Sequence, residues 1–127
     1  MPEASPSNEG ISLLTNPEKW LHDNHWDCDE VEVAVAGAGG EQNLGAAVGV
    51  GLTRRITEIT IHHAGTNPTV VTLLVAGGAT KWSYVVPDGM SRTIPLDREF
   101  IAGEQPAVQT SDVTGGSTFV SASGVEA

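Results

Sequence analysis

The sequence predicts an all-β domain, a single antiparallel β-sandwich or jelly roll of about seven or eight strands. Three observations predict this fold. Gly and Pro residues divide most of the chain after residue 30 into short segments, at intervals of about 10 residues. Apolar and polar residues alternate within these segments, which is the period of a half-buried strand. Charged residues make up only 17% of the chain, against roughly 25% in an average soluble domain, and Thr, Ser and Gly take their place.

The N-terminal region differs from the rest and predicts a flexible arm followed by a short helical turn. Residues 1–10 are rich in Pro, Ser and Glu and lack apolar periodicity. Asn16 suits a helix N-cap and Pro17 the first helical position, so we expect a helix that ends near His22. Residues 23–30 are acidic and predict a turn. We therefore divide the chain into an arm and docking segment (residues 1–30) and a β-sandwich domain (residues 31–127).

Individual strands are predicted from their alternation and from the turns between them. The predicted strands cover residues 31–35, 54–63, 69–75, 80–86, 92–96, 107–110 and 117–125, with a strand approach at 46–50 after a Gly-rich loop. Gly77–Gly78 predicts a hairpin. Ile56 lies out of phase with the rest of its strand, which requires a bulge near Thr57 or burial on both faces. Pro95 places its strand at a sheet edge or at the strand's own end.

The charge of the chain argues against two classes of partner. Sixteen acidic and six basic residues give a net charge of −10, a field that repels phosphate backbones and anionic lipid. We expect neither nucleic acid nor membrane as a partner, and no apolar run approaches the roughly 20 residues of a membrane span. The start of the chain lacks a basic and then apolar secretory signal, so we expect synthesis in a cytoplasm. The single cysteine, Cys28, excludes a disulfide within the chain.

The spacing of His22, His25 and Cys28 is the strongest metal-like pattern in the sequence. On a helix these side chains would lie roughly along one face. Asn24 and Asp27 disfavour a helix there, however, and no fourth ligand follows at a standard spacing. We interpret the pattern as two surface histidines and a half-buried thiol, and predict no metal site.

Other chemical patterns are weaker still. Residues 62–63 are adjacent histidines on a predicted strand, so their side chains point to opposite faces. The acidic residues at 27–30 lack the spaced loop and the Gly of a calcium site. The Gly-rich stretch 37–40 lacks the Lys-Ser/Thr ending of a phosphate-binding loop. We therefore predict a protein that binds or assembles, with no catalytic residues and no cofactor.

The strand and turn patterns of the C-terminal two-thirds resemble a known class of protein. The matching segments are residues 53–62, 69–75, 77–82, 93–96, 107–111 and 117–121. Together, over about residues 50–125, they resemble the small β-sandwich proteins of tailed bacteriophages that decorate or cement the capsid. Similar domains also occur in phage tail and fibre proteins. The shared motifs are structural, so no catalytic residue is carried over.

The resemblance implies a structural virion protein on the capsid exterior, assembled in the host cytoplasm. Such a protein binds the outside of the head, forms a homo-oligomer (dimer or trimer) and bridges neighbouring copies of the major capsid protein. An arm that orders on binding would suit this role. The residues expected to contact the capsid are the apolar anchors Leu13, Leu14, Trp20 and Trp26 and the polar partners Arg54, Arg55 and Arg92.

Two alternatives stay open at the level of sequence. The first is a tail-fibre or receptor-binding module that recognises a glycan, for which Trp26 or Trp82 would supply the exposed aromatic surface. Trp82 shares a strand face with Tyr84, which favours a core position for both. Trp20 and Trp26 either cover the open end of the sandwich or dock on a partner. The second alternative is a small β-sandwich enzyme, supported only by the His22, His25, Cys28 pattern.

Overall fold

A computed structural model of the chain describes residues 17–33, 41–65, 67–87, 89–111 and 118–127. The elements in these ranges are α1 (Pro17–Asn24), β1 (His25–Val33), β2 (Gln42–Asn43), β3 (Thr53–His63), β4 (Thr69–Val75), β5 (Thr80–Val86), β6 (Ser91–Ile101), β7 (Pro106–Thr110) and β8 (Thr118–Glu126). Within the described ranges, no helix is long and apolar enough to cross a membrane.

The strands pair as a long hairpin that has been folded over on itself. β1 pairs with β8, β2 with β7, β3 with β6 and β4 with β5, all antiparallel. Two further pairings, β3 with β8 and β4 with β7, join these ribbons into sheets of order β1-β8-β3-β6 and β2-β7-β4-β5. This strand order is that of a jelly roll. The predicted all-β sandwich is therefore confirmed, and the topology distinguishes the jelly roll from other sandwiches.

The core lies between the inner faces of the two sheets. Alternate residues of β8 point inward, as the alternation predicted, and β4 adds two adjacent buried leucines at its end. The buried cluster consists of Val33, Leu44, Val48, Ile56, Ile59, Ile61, Val71, Leu73, Val86, Phe100, Val108, Val120 and Ala122. Burial of this much apolar surface is the main term that stabilises the fold.

A bulge in β3 brings all of its isoleucines to the core. The register of β3 shifts between Ile56 and Glu58 against both neighbouring strands, which confirms the bulge expected near Thr57. At the bulge, the backbone of β8 passes so close that a Cβ on Gly124 would lie 1.9 Å from the carbonyl oxygen of Arg55. Only glycine fits this position.

The N-terminal boundary of the sandwich differs from the prediction. β1 begins at His25 rather than at residue 31, so half of the segment predicted as an acidic turn, residues 25–28, pairs with β8. Trp26 and Cys28 face the core while His25 and Asp27 face outward, and a register shift between Cys28 and Val31 breaks the alternation. The division between residues 30 and 31 therefore falls inside β1. The arm over residues 1–16 lies outside the described residues.

Smaller differences concern the ends of the helix and of several strands. α1 continues to Asn24, two residues beyond the expected end, and β6 runs on to Ile101. Residues 46–50 form no strand, although Val48 is buried, and the short β2 lies in the region predicted as a loop. β6 is an edge strand, so the position predicted for Pro95 is confirmed. Residues 34–35, 37–40 and 117 are outside the described residues.

Candidate functional site

The side of the sandwich formed by β5 and β6 carries a group of half-buried aromatic and apolar side chains. β6 is an edge strand of one sheet and β5 is an edge strand of the other, so no further strand covers their inward-facing residues on this side. Trp82, Tyr84, Ile94 and Leu96 pack against the core but stay partly exposed. We call Trp82, Tyr84, Arg92 and Arg98 the aromatic–arginine edge.

Two arginines of β6 link the strands of this edge. The rings of Trp82 and Tyr84 stack with centroids 5.8 Å apart and planes 10° from parallel. Arg92 donates a hydrogen bond from a terminal guanidinium nitrogen to the Tyr84 hydroxyl at 2.8 Å. Arg98 donates from Nε to the carbonyl oxygen of Lys81, also at 2.8 Å. These bonds cross from one sheet to the other and hold both cations at the rim of the aromatic stack.

The aromatic–arginine edge concentrates positive charge in a strongly acidic protein. Lys81, Arg92 and Arg98 are three of the six basic residues of the chain. Lys81 Nζ lies 3.9 Å from a carboxylate oxygen of Glu104. Arg92 and Arg98 form no ion pair with any carboxylate of the described residues. Their charge is therefore available to an anionic partner.

Trp26 and Arg54 pack together at one end of the sandwich, where Arg54 is buried and Trp26 is partly buried. The Arg54 side chain is only 2% exposed and donates from Nε to Glu126 Oε1 at 2.6 Å. A terminal nitrogen donates to the carbonyl oxygen of Ala46 at 2.5 Å, and the guanidinium carbon lies 4.3 Å from the centroid of the Trp26 ring. In this arrangement both side chains stabilise the end of the sandwich, and the buried Arg54 guanidinium is not accessible to a partner protein, contrary to the contact predicted for it.

The remaining predicted contact residues are spread over the surface. Arg55 lies on the outer face of β3 and pairs with Asp97 and, at 2.9 Å, with Glu99. The hydrogen bond with Asp97 raises the pKa of Arg55. Arg92 belongs to the aromatic–arginine edge, and Trp20 is half-buried in α1. Its indole Nε1 is buried and has no hydrogen-bond acceptor among the described residues. Leu13 and Leu14 lie outside those residues.

The outer face of the β1-β8-β3-β6 sheet carries a shallow groove of about 330 Å³. Its rim is acidic because Asp27, Asp29 and Glu30 surround the β1 bulge and Glu58 lies beside the β3 bulge. The small polar residues Thr60, Ser121 and Ser123 also line the groove, as do Cys28 and Ala122. We call this feature the acidic groove. Within the described residues, no cluster of His, Cys, Asp or Glu is arranged to hold a metal ion.

The histidines of the chain have structural or solvent-exposed positions. His63 is buried, and its Nε2 donates to the carbonyl oxygen of Asn67 at 2.6 Å, while Nδ1 accepts from the Thr118 hydroxyl at 2.8 Å. His62 points to the opposite face, as predicted, next to Ser91. His22 and His25 are exposed. The buried ring therefore holds the turn after β3 against the start of β8.

Sequence reasoning identified Arg92 and the shared face of Trp82 and Tyr84 but did not place them together. Arg98 and the acidic groove were missed altogether. Both features depend on which strands are neighbours, and the alternation pattern does not carry that information. The one local signal for the acidic groove in the sequence is the set of acidic residues at 27–30.

No protein-family model matches the chain, and no curated protein matches it.

Proposed function

We propose that this protein is a structural virion protein that binds the outside of a tailed-phage head and bridges neighbouring major capsid subunits. The observation that carries the proposal is the jelly-roll strand order, an architecture that recurs in viral capsid and lectin domains. The strand and turn patterns of residues 50–125 support the same class. The place of action is the capsid exterior, after assembly in the host cytoplasm.

The N-terminal end supplies an apolar docking segment in this proposal. Leu21 is 50% exposed on α1, and its neighbour Trp20 has a buried indole N–H with no acceptor among the described residues. Leu13 and Leu14 precede this helix by a few residues. An apolar segment of this kind contributes binding energy when it is buried against a partner.

Two exposed arginines supply the polar contacts. The Arg55 side chain is 43% exposed and Arg92 is exposed, so neither needs a rearrangement of the core to meet a carboxylate on a neighbouring protein, although Arg55 would exchange its pairs with Asp97 and Glu99. Arg54 is left out of the contact set because its guanidinium is buried against Glu126. The net charge of −10 keeps particles coated with this protein dispersed by mutual repulsion.

The docking segment is tested by deleting residues 1–14 and measuring co-sedimentation with heads that lack the protein. We expect the deletion variant to lose saturable binding, with an unchanged far-ultraviolet circular dichroism spectrum and cooperative thermal unfolding. Two double variants separate the effect of apolar contact from the effect of chain length. The variant with Leu13→Ser and Leu14→Ser is expected to lose binding. The variant with Ser12→Ala and Thr15→Ser is expected to retain it. Full binding by the deletion variant would contradict a docking role for this segment.

Glycan recognition by a tail-fibre module is the second candidate function. The partly exposed Trp82–Tyr84 stack favours it, because aromatic faces bind the apolar faces of sugar rings. Glycan-array binding that is lost in Trp82→Ala and kept in Val85→Ala, a change on the opposite face of β5, would favour this function over capsid decoration. An absence of glycan binding would remove it.

A further inference from the structure

We infer that this protein assembles head to tail, with the aromatic–arginine edge of one copy docked in the acidic groove of a second copy. The inference goes beyond capsid binding because it names the surfaces that join copies to each other, and it assigns Arg92 to that contact instead of to the capsid. It is tested on the purified chain alone, so its failure is distinguishable from a failure to bind capsids.

The aromatic–arginine edge has the composition of an interface centre. Aromatic residues and arginine are the residue types most enriched where binding energy concentrates. The stacked rings of Trp82 and Tyr84 are flanked by two guanidinium groups, neither of which is ion-paired within the described part of the chain. An acidic surface with an open floor would complete the charged contacts and leave room for the rings.

The acidic groove offers that complement on the same molecule. Its rim carries four carboxylates, those of Asp27, Asp29, Glu30 and Glu58. Its floor is formed by β8 and β3 with small side chains, Ser121, Ser123 and Thr60. Small floor residues let the edge of a partner copy approach the sheet closely, while the rim carboxylates face the partner's cations. Charge complementarity of this kind steers association and fixes its register.

The positions of the two surfaces determine the type of contact. The groove lies where β1, β8 and β3 adjoin on the outer face of one sheet. The aromatic–arginine edge lies where β5 and β6 border the interior on one side of the sandwich. Different patches meet in such a contact, so it is heterologous, and it closes into a ring when the rotation between copies permits. The homo-oligomer implied by the resemblance, a dimer or trimer, would then be a closed ring of two or three copies.

The test is sedimentation-velocity and light-scattering analysis of the full chain and four variants at physiological salt. The edge variant is Arg92→Glu with Arg98→Glu, and the groove variant is Asp27→Lys with Glu58→Lys. The combined variant carries all four changes, and Lys19→Glu on α1, a residue of neither surface, is the control for added negative charge. Circular dichroism and thermal unfolding check the fold of each chain.

The wild type and Lys19→Glu are expected to form the same discrete oligomer. The edge and groove variants should each associate at least about tenfold more weakly, because a reversed charge faces a like charge. The combined variant restores association, since both surfaces are reversed in every copy and remain complementary for any ring size. The groove changes are at exposed positions, so they test the interface even if the edge variant does not fold.

Three results would overturn the inference. A monomeric wild type at 100-fold the concentration used for capsid binding would exclude self-assembly. An oligomer that survives either the edge or the groove changes in a folded chain would place the interface elsewhere. A folded combined variant that stays dissociated would show that the two surfaces do not face each other.

Discussion

At the scale of single residues, the pair Arg54–Glu126 is the most consequential charge arrangement in the fold. Arg54 is almost fully buried, whereas the Glu126 side chain is 19% exposed. A buried guanidinium is tolerated only when its hydrogen bonds and charge are compensated. Here Glu126, the carbonyl oxygen of Ala46 and the face of Trp26 provide that compensation. The cluster links β3, β8 and β1 at one end of the sandwich.

Replacing Glu126 by Gln is therefore expected to lower the free energy of unfolding by about 2 kcal/mol, since it removes the counter-charge of a buried cation. Urea denaturation followed by tryptophan fluorescence measures the change. Glu99→Gln is the matched control, because Glu99 pairs with the exposed Arg55, and an exposed pair contributes no more than about 1 kcal/mol. Equal effects of the two changes would contradict the role assigned to Glu126.

The Cys28 thiol provides a pH dependence that follows from the structure. Burial raises the pKa of the Cys28 thiol above its usual value of 9.0, and the nearby carboxylates of Asp27 and Asp29 act in the same direction. In the native state the thiol therefore holds its proton at pH values where the unfolded chain has begun to lose it. The associated stability is complete below pH 9 and is lost as pH rises through the higher native pKa.

Alkylation of Cys28 by iodoacetamide at pH 8 should accordingly be slow in the native protein and fast in urea. The thiolate is the reacting species, and burial both suppresses it and limits access. Mass spectrometry over time gives the rate, and the single cysteine of the chain makes the product unambiguous. Alkylation at the same rate in native and unfolded protein would contradict the half-buried, protonated thiol.

At the scale of elements, the β3 bulge and the glycine that faces it form one unit. The bulge between Ile56 and Glu58 aligns β3 with the core on both sides of the irregularity. It also draws the backbone of β3 towards β8, where Gly124 lies opposite Ile56. Backbone contacts do not yield as a flexible side chain does, so this close approach is rigid.

Gly124→Ala is expected to destabilise the fold by more than about 3 kcal/mol, because the new methyl group would overlap the carbonyl oxygen of Arg55. The control is Ser123→Ala, whose side chain points outward from the same strand; its effect should stay within about 1 kcal/mol. Thermal unfolding of the two variants side by side provides the comparison. Similar midpoints would mean that β8 moves freely away from the bulge.

Most elements follow from local patterns, and the exceptions have physical causes. β4, β5 and β8 were predicted within one residue at each end, because alternation and Gly or Pro turns delimit them. The predicted β1 was too short because the outward-facing residues of this strand are nearly all acidic and a bulge interrupts its alternation. The phase of Ile56 predicted the β3 bulge. The acidic groove and the inter-sheet hydrogen bonds of Arg92 and Arg98 could not be predicted, because they depend on which strands are neighbours and local patterns do not specify this.

At the scale of the whole molecule, the jelly roll separates two kinds of surface. The outer face of the β1-β8-β3-β6 sheet carries the acidic groove, while the β5 and β6 side carries half of the basic residues of the chain. The helix α1 and its exposed Leu21 lie at the N-terminal end of β1. In the proposed function, the N-terminal end meets the capsid and the other two surfaces join copies of the decoration protein to each other.

The measurement that tests this account most directly is quantitative co-sedimentation of the purified full chain with phage heads that lack it. The account predicts saturable binding at a fixed copy number per head, with a stoichiometry that matches the oligomer found in solution. Absence of binding at concentrations where the chain is a stable oligomer would contradict the capsid role and leave glycan recognition as the function to test.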